Sequence, residues 1–173
     1  MKGFTLIEIL VAVSIFSILI FAVFAVMDVG RSAWFTADVS AELRQELIKT
    51  FTRMERELKE TAPAQTDLSS NSSSPSLTFS VPQDNDGDGT ILNSTGNVEW
   101  SGSITYALNT NNQITRTASG VTTILANNIT ALLFTRPASS SDNLLQINIT
   151  AQRRSAIGRV AQDNGQITIK MRN

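Results

Sequence analysis

The sequence predicts an α+β protein in which one long N-terminal helix packs on an antiparallel β-sheet head. Three observations carry that expectation. An apolar run from Phe4 to Met27 holds a single charge, Glu8. Apolar residues then recur every three or four positions as far as Leu58, and short stretches of period-two alternation fill the second half. With the helix first and the strands after it, the order of segments belongs to the α+β class.

The apolar run is about 24 residues, which as a helix reaches roughly 36 Å and exceeds a hydrocarbon core of about 30 Å. It is therefore long enough to span a membrane, and it overshoots the apolar core of an ordinary cleaved secretory signal. Lys2 precedes it and Asp28 follows it. The positive-inside tendency then places the N-terminus in the cytoplasm and the bulk of the chain outside. Glu8 is costly in such a segment, on the order of 3 kcal/mol deep in hydrocarbon, although snorkelling to the nearby interface lowers that cost.

Phe35, Val39, Leu43, Leu47, Phe51, Met54 and Leu58 form one stripe of an amphipathic helix. Charged residues such as Glu42, Glu46, Arg53, Glu55 and Lys59 lie between them on a face expected to be solvated, with Glu55 and Lys59 at pairing distance. The first proline is Pro63, so one helix is expected over about residues 4–61, with room for a bend at Gly30. The stripe is read as the surface that covers a sheet.

Residues 62–76, APAQTDLSSNSSSPS, read as a polar linker loop, and residues 77–173 as the β-rich head. Strand segments are expected at 77–81, 98–108, 113–117, 121–125, 129–136, 144–153 and 166–171. Alternation is clearest in LQINITA, where Leu145, Ile147 and Ile149 share a face, and in QITIKM, where Ile167, Ile169 and Met171 do. NTNN at 109–112 and DNG at 163–165 read as turns.

The composition excludes several chemistries. The chain has no cysteine and no histidine, which removes disulfides, thiol nucleophiles and the commonest base and metal ligand. Fourteen Lys and Arg balance fifteen Asp and Glu, so nothing in the totals points to nucleic acid. No nucleophile and base pair is visible, and an enzyme is not expected. DNDGDG at 84–89 could hold calcium through Asp84, Asp86, Asp88 and the carbonyl of Thr90. Its second half departs from a calcium loop, with Thr95 where a bidentate glutamate should stand, and Glu99 could substitute only if the loop folds differently. A polar β-turn uses the same residues. The Asn-x-Ser/Thr triplets at Asn71, Asn93, Asn128 and Asn148 are read as structural. Arg153, Arg154, Arg159, Lys170 and Arg172 form either a docking face or a solvated sheet edge.

The stretch Gly3, Phe4, Thr5, Leu6, Ile7, Glu8, followed by a long aliphatic run, resembles the class III signal of type IV pilins and of the pseudopilins of type II secretion. The resemblance implies a pilin fold and cleavage after Gly3 by a prepilin peptidase, which also methylates Phe4. It implies that Glu8 neutralises the terminal amine of a neighbouring subunit during filament assembly. A buried ion pair of this kind can set register between subunits. Residues 1–3 would then be the leader, shorter and less basic than most, which bears on where translation starts. The segments YALNTNNQITR, ANNITALLF, INITAQRR and QITIKMRN are similar to minor pilins of the W type and to J-class minor pseudopilins. The resemblance implies a single-pass inner-membrane protein with its head in the periplasm or outside the cell, then a filament subunit whose partners are other subunits. The rivals are a major pilin or DNA-uptake pseudopilin, and a membrane-anchored, calcium-dependent adhesion or binding module.

Overall fold

A computed structural model describes residues 5–138, 143–156 and 158–172. One helix, α1 (Leu6–Glu60), runs for 55 residues without interruption at Gly30. Thr5 caps its start, and the chain leaves it at Thr61 in an extended conformation two residues before Pro63. By helical rise it is about 82 Å long.

Eight strands follow, arranged in two antiparallel four-stranded sheets. One sheet has the order β1 (Ser72–Ser74), β6 (Ile129–Arg136), β7 (Leu144–Arg154), β8 (Val160–Lys170). The other has the order β2 (Ser76–Phe79), β3 (Ile104–Leu108), β4 (Ile114–Ala118), β5 (Val121–Ala126). The helix lies on β7, β8 and β5, so it touches both sheets. The α+β expectation therefore holds, with the head built from two sheets.

The predicted stripe is the helix's buried face: Val39, Leu43, Leu47, Met54 and Leu58 are buried. They meet Leu145, Ile147, Ile149 and Ile169 of the first sheet and Tyr106 and Ile114 of the second in a single core. Phe35, at the lower end of the stripe, remains exposed. Thr50 is buried although polar, and its hydroxyl donates to the Glu46 carbonyl at 2.8 Å.

Three stretches differ from the sequence reading. DNG at 163–165 is not a turn but lies inside β8. The Phe51 ring occupies the space that a Cβ on Gly165 would fill, so the glycine serves a close approach of helix to strand. The stretch 62–76 is not wholly loop: it holds a short 3₁₀ turn at Pro63–Gln65, the strand β1 and the first residue of β2. Its serines pair because β1 aligns with Thr135 and its neighbours on β6. Of the expected strand 98–108, only Ile104–Leu108 is regular; Val98 and Trp100 make isolated bridges with Leu92 and Pro82 that close the loop between β2 and β3.

The helix face read as solvated is partly tied to the head. Glu42 pairs with Arg153, and Arg44 with Asp163 at 3.2 Å. Glu46 accepts from the Asn127 backbone N–H at 2.6 Å. Glu55 and Lys59 pair along the helix at 2.6 Å, as their spacing suggests.

Candidate functional site

The start of α1 is a capping box. The Glu8 backbone N–H donates to Thr5 Oγ1 at 3.3 Å, and the Thr5 backbone N–H donates to Glu8 Oε2 at 3.5 Å. The local sequence dictates this, since a threonine three residues before a glutamate can satisfy two helix-end donors reciprocally. The acid also lies at the positive end of the helix dipole. Glu8 is exposed within the chain, and its carboxylate retains acceptor capacity beyond the one long bond to Thr5. Gly3 and Phe4, the expected cleavage and methylation positions, lie outside the described residues.

Above the cap, the apolar half of α1 is left uncovered by the head among the described residues. Leu6, Ile7, Leu10, Phe16, Ile18, Phe21, Phe24 and Val26 are each at least 60% exposed. The segment is apolar enough to cross a membrane, and none of its span is covered by the protein itself. An apolar surface of this size needs lipid or another apolar partner to cover it.

The second candidate is the loop between β2 and β3. Ligand oxygens of Asp84, Asp86 and Glu99 lie within 4.8 Å of one another. Asp84 accepts from the backbone N–H groups of Gly87 at 2.7 Å and Gly89 at 2.9 Å. Both glycines have positive φ, at 78° and 85°, and this wraps the chain around the carboxylate. Those two bonds, that of Gly89 first, hold the Asp84 carboxyl below the usual carboxylate range. Asp88 does not join these three carboxylates. The Asp88 carboxylate instead accepts from the Thr90 backbone N–H at 2.8 Å and from its hydroxyl at 2.9 Å. Glu99 enters because the Leu92–Val98 and Pro82–Trp100 bridges fold the loop back on itself. The loop spacing of an EF-hand points to Thr95 and so passes over Glu99; an acid just beyond a turn-rich stretch was the available signal. Three convergent carboxylates are suited to a hard cation with oxygen ligands.

A family model described as the prokaryotic N-terminal methylation motif matches residues 1–24. No curated protein matches the chain, and no solved structure does. The matched segment covers the capping box, Glu8 and most of the uncovered apolar half of α1. The long apolar helix fits a membrane anchor, and the motif fits a structural subunit rather than an enzyme. On these grounds the methylation motif, standing at the head of a single long helix packed on antiparallel sheets, indicates a type IV pilin-like prepilin, a signal that implies processing by prepilin peptidase and assembly with other pilin subunits.

Proposed function

We propose that the chain is a minor subunit of a type IV pilus or a type II secretion pseudopilus, stored in the inner membrane and then assembled through α1. The observation that carries this reading is the uncovered apolar half of the helix with an acid near its start. In a plain anchor Glu8 would do no more than cap the helix with Thr5. A helix whose final surroundings are other helices gains a charge that must find an opposite charge, and this selects one stacking register. In this reading residues 1–3 are removed, Phe4 becomes the methylated terminus, 4–27 enter the filament core, and 28–61 carry the head. Residues 62–76 link helix to head, and 77–173 offer partner contacts on the far side of the membrane from the N-terminus. The minor rather than major role is supported by the likeness of the strand segments to minor subunits and by the lack of cysteine for a C-terminal disulfide loop.

Intact-mass analysis of the purified protein tests processing: the expected product begins with methylated Phe4, and a mature protein that retains Met1 would overturn the proposal. Glu8→Ala tests assembly. Cleavage should proceed, whereas recovery of the subunit in sheared filaments should fall by about tenfold or more, as expected when a buried charge loses its partner. Filaments that take up the variant normally would remove Glu8 from the assembly role.

We also propose that the β2–β3 loop takes calcium, because Asp84, Asp86 and Glu99 converge there. Calorimetric titration of the full chain with calcium should show one site, weakened at least tenfold by Glu99→Gln. No heat with the unaltered protein would leave the loop a polar turn.

A further inference from the structure

Beyond the filament reading, we infer that the foot of the head is a receptor for a phospholipid headgroup, in which two guanidiniums grip the phosphodiester and a carboxylate faces the headgroup ammonium. The site is an open surface groove of about 480 Å³ lined by Asp28, Arg31, Ser32, Phe35 and Arg159, all exposed but Ser32. The first four share one helix face at spacings of three, one and three. Arg159 arrives from the turn between β7 and β8. That turn is fixed by the Ser155 backbone N–H donating to the Arg159 carbonyl at 2.7 Å and the Gly158 N–H donating to the Ser155 carbonyl at 2.9 Å.

Three observations point to a ligand from the membrane. The first is height. The apolar run ends at Met27, so Arg31 stands about 6 Å above the edge of the hydrocarbon, within the headgroup layer of a bilayer. Trp34, 76% exposed, lies less than one turn higher, about 10 Å above that edge, where amphipathic aromatic rings favour the interface. The second is valence. Arg44, Arg53, Arg116 and Arg153 have carboxylate partners in the chain, whereas Arg31 and Arg159, like the exposed Arg56, Arg154 and Arg172, have none among the described residues. The side chains of Asp28, Arg31 and Arg159 have neither an ion pair nor a hydrogen bond among the described residues, although they line one groove. The third is charge pattern. Two cations and one anion match a phosphate joined to a primary ammonium, as in phosphatidylethanolamine. A guanidinium fork complements phosphate oxygens, Asp28 can accept from an ammonium, and a quaternary choline has no N–H to give. The Ser32 hydroxyl is already spent on the Val29 carbonyl at 2.9 Å, and Phe35 supplies an apolar wall.

Such a receptor would hold the head upright on the bilayer until the helix is withdrawn. It rests on α1 standing in a membrane but not on filament assembly. The full-length protein is reconstituted in nanodiscs of phosphatidylcholine with or without phosphatidylethanolamine, and co-retained lipid is counted by native mass spectrometry after release. The unaltered protein should retain phosphatidylethanolamine over phosphatidylcholine. The Arg31→Gln/Arg159→Gln variant should retain it about tenfold less. Asp28→Asn should bring the two lipids to parity, and Arg56→Gln, an exposed arginine higher on the helix, should change nothing. Equal retention by the unaltered protein and the double variant would overturn the inference, as would an equal loss in Arg56→Gln. Stronger retention of phosphatidylglycerol than of phosphatidylethanolamine would overturn the role of Asp28. Displacement of the lipid by equimolar free phosphoethanolamine would make this a site for a soluble anion and overturn the membrane source. Insertion into phosphatidylcholine discs reports the anchor separately, so a failed receptor and a failed anchor are distinguishable.

Discussion

The Glu57 side chain is largely enclosed by the head, 14% exposed. Its carboxylate accepts from the Tyr106 hydroxyl at 2.7 Å and from Arg116 Nε at 3.0 Å, and Arg53 stands one helical turn away. The three residues join the helix to β3 and β4 where apolar contact alone would leave their relative positions loose. Burial, reinforced by the hydrogen bond and charge of Glu57, pushes the Tyr106 hydroxyl well above its ordinary value. For Arg116, burial pulls the guanidinium down, but the hydrogen bond and charge of Glu57 outweigh it. A tyrosine whose folded pKa is raised contributes stability that is full below its unfolded value of 10.0 and is lost as pH rises above it. Tyr106 is the sole tyrosine of the chain, so its phenolate absorbance reads the site directly. It should be silent on moving from pH 10 to 11 and appear together with loss of circular dichroism. An early, reversible phenolate signal in folded protein would count against the network. The sequence offered the stripe that carries Met54 and Leu58, yet not this triad. Glu57 lies 49 and 59 residues before Tyr106 and Arg116, which face each other across β3 and β4, and only the packed helix brings it to them.

Among the elements, α1 and β8 show both the reach and the limit of pattern reading. The helix was legible because a long apolar run passes into a stripe that keeps its period for about seven turns, from Phe35 to Leu58, and no proline enters before Pro63. The buried positions of β7 were legible for the same reason, through strict alternation at Leu145, Ile147 and Ile149. In β8 the local signal misled. Asp, Asn and Gly in succession favour a turn, but the strand pairs residue by residue with β7 from Leu144–Lys170 to Arg154–Val160, and this long ladder overrides the local preference. A side chain at Gly165 would therefore force the Phe51 ring to shift, since a Cβ there would collide with Phe51 Cε2. Gly165→Ala places a methyl against the Phe51 ring and should destabilise the head by about 2 kcal/mol, the range of overpacking in a filled core. The denaturant midpoint checks this, and the double variant with Phe51→Leu should recover part of the loss.

For the whole molecule, the division of labour along α1 has a direct test. The first buried residue of the helix is Val39, so nothing before Gly30 contributes to the core. A chain beginning at Gly30 should be soluble without detergent. It should unfold cooperatively with a stability within about 0.5 kcal/mol of the full protein, as for changes remote from the core. A molten head, seen as lost near-ultraviolet dichroism, would show that the apolar half supports it. The candidate sites divide the same way. Glu8 was legible because a lone acid in an apolar run violates the local rule, and violations of this kind mark function. Glu99 was legible only as a substitute that needs a different loop fold, and Arg159 only as part of a basic group, because each reaches its partners through a turn whose closure no local pattern encodes.

The ties between helix and head also bear on force. Glu42, Arg44, Glu46 and Glu57 fasten α1 to the head at four heights spread over about 22 Å of the helix axis. When the helix is drawn along its own axis, these ties and the apolar seam beneath them are loaded in shear and in parallel. No single bond then bears the pull, and the unbroken helix at Gly30 passes tension from the bilayer side to the head without a hinge to take it up. If the helix is drawn out of lipid as proposed, the head would travel with it as cargo, and the work would go into the lost lipid contacts of the apolar half and not into unfolding what it carries.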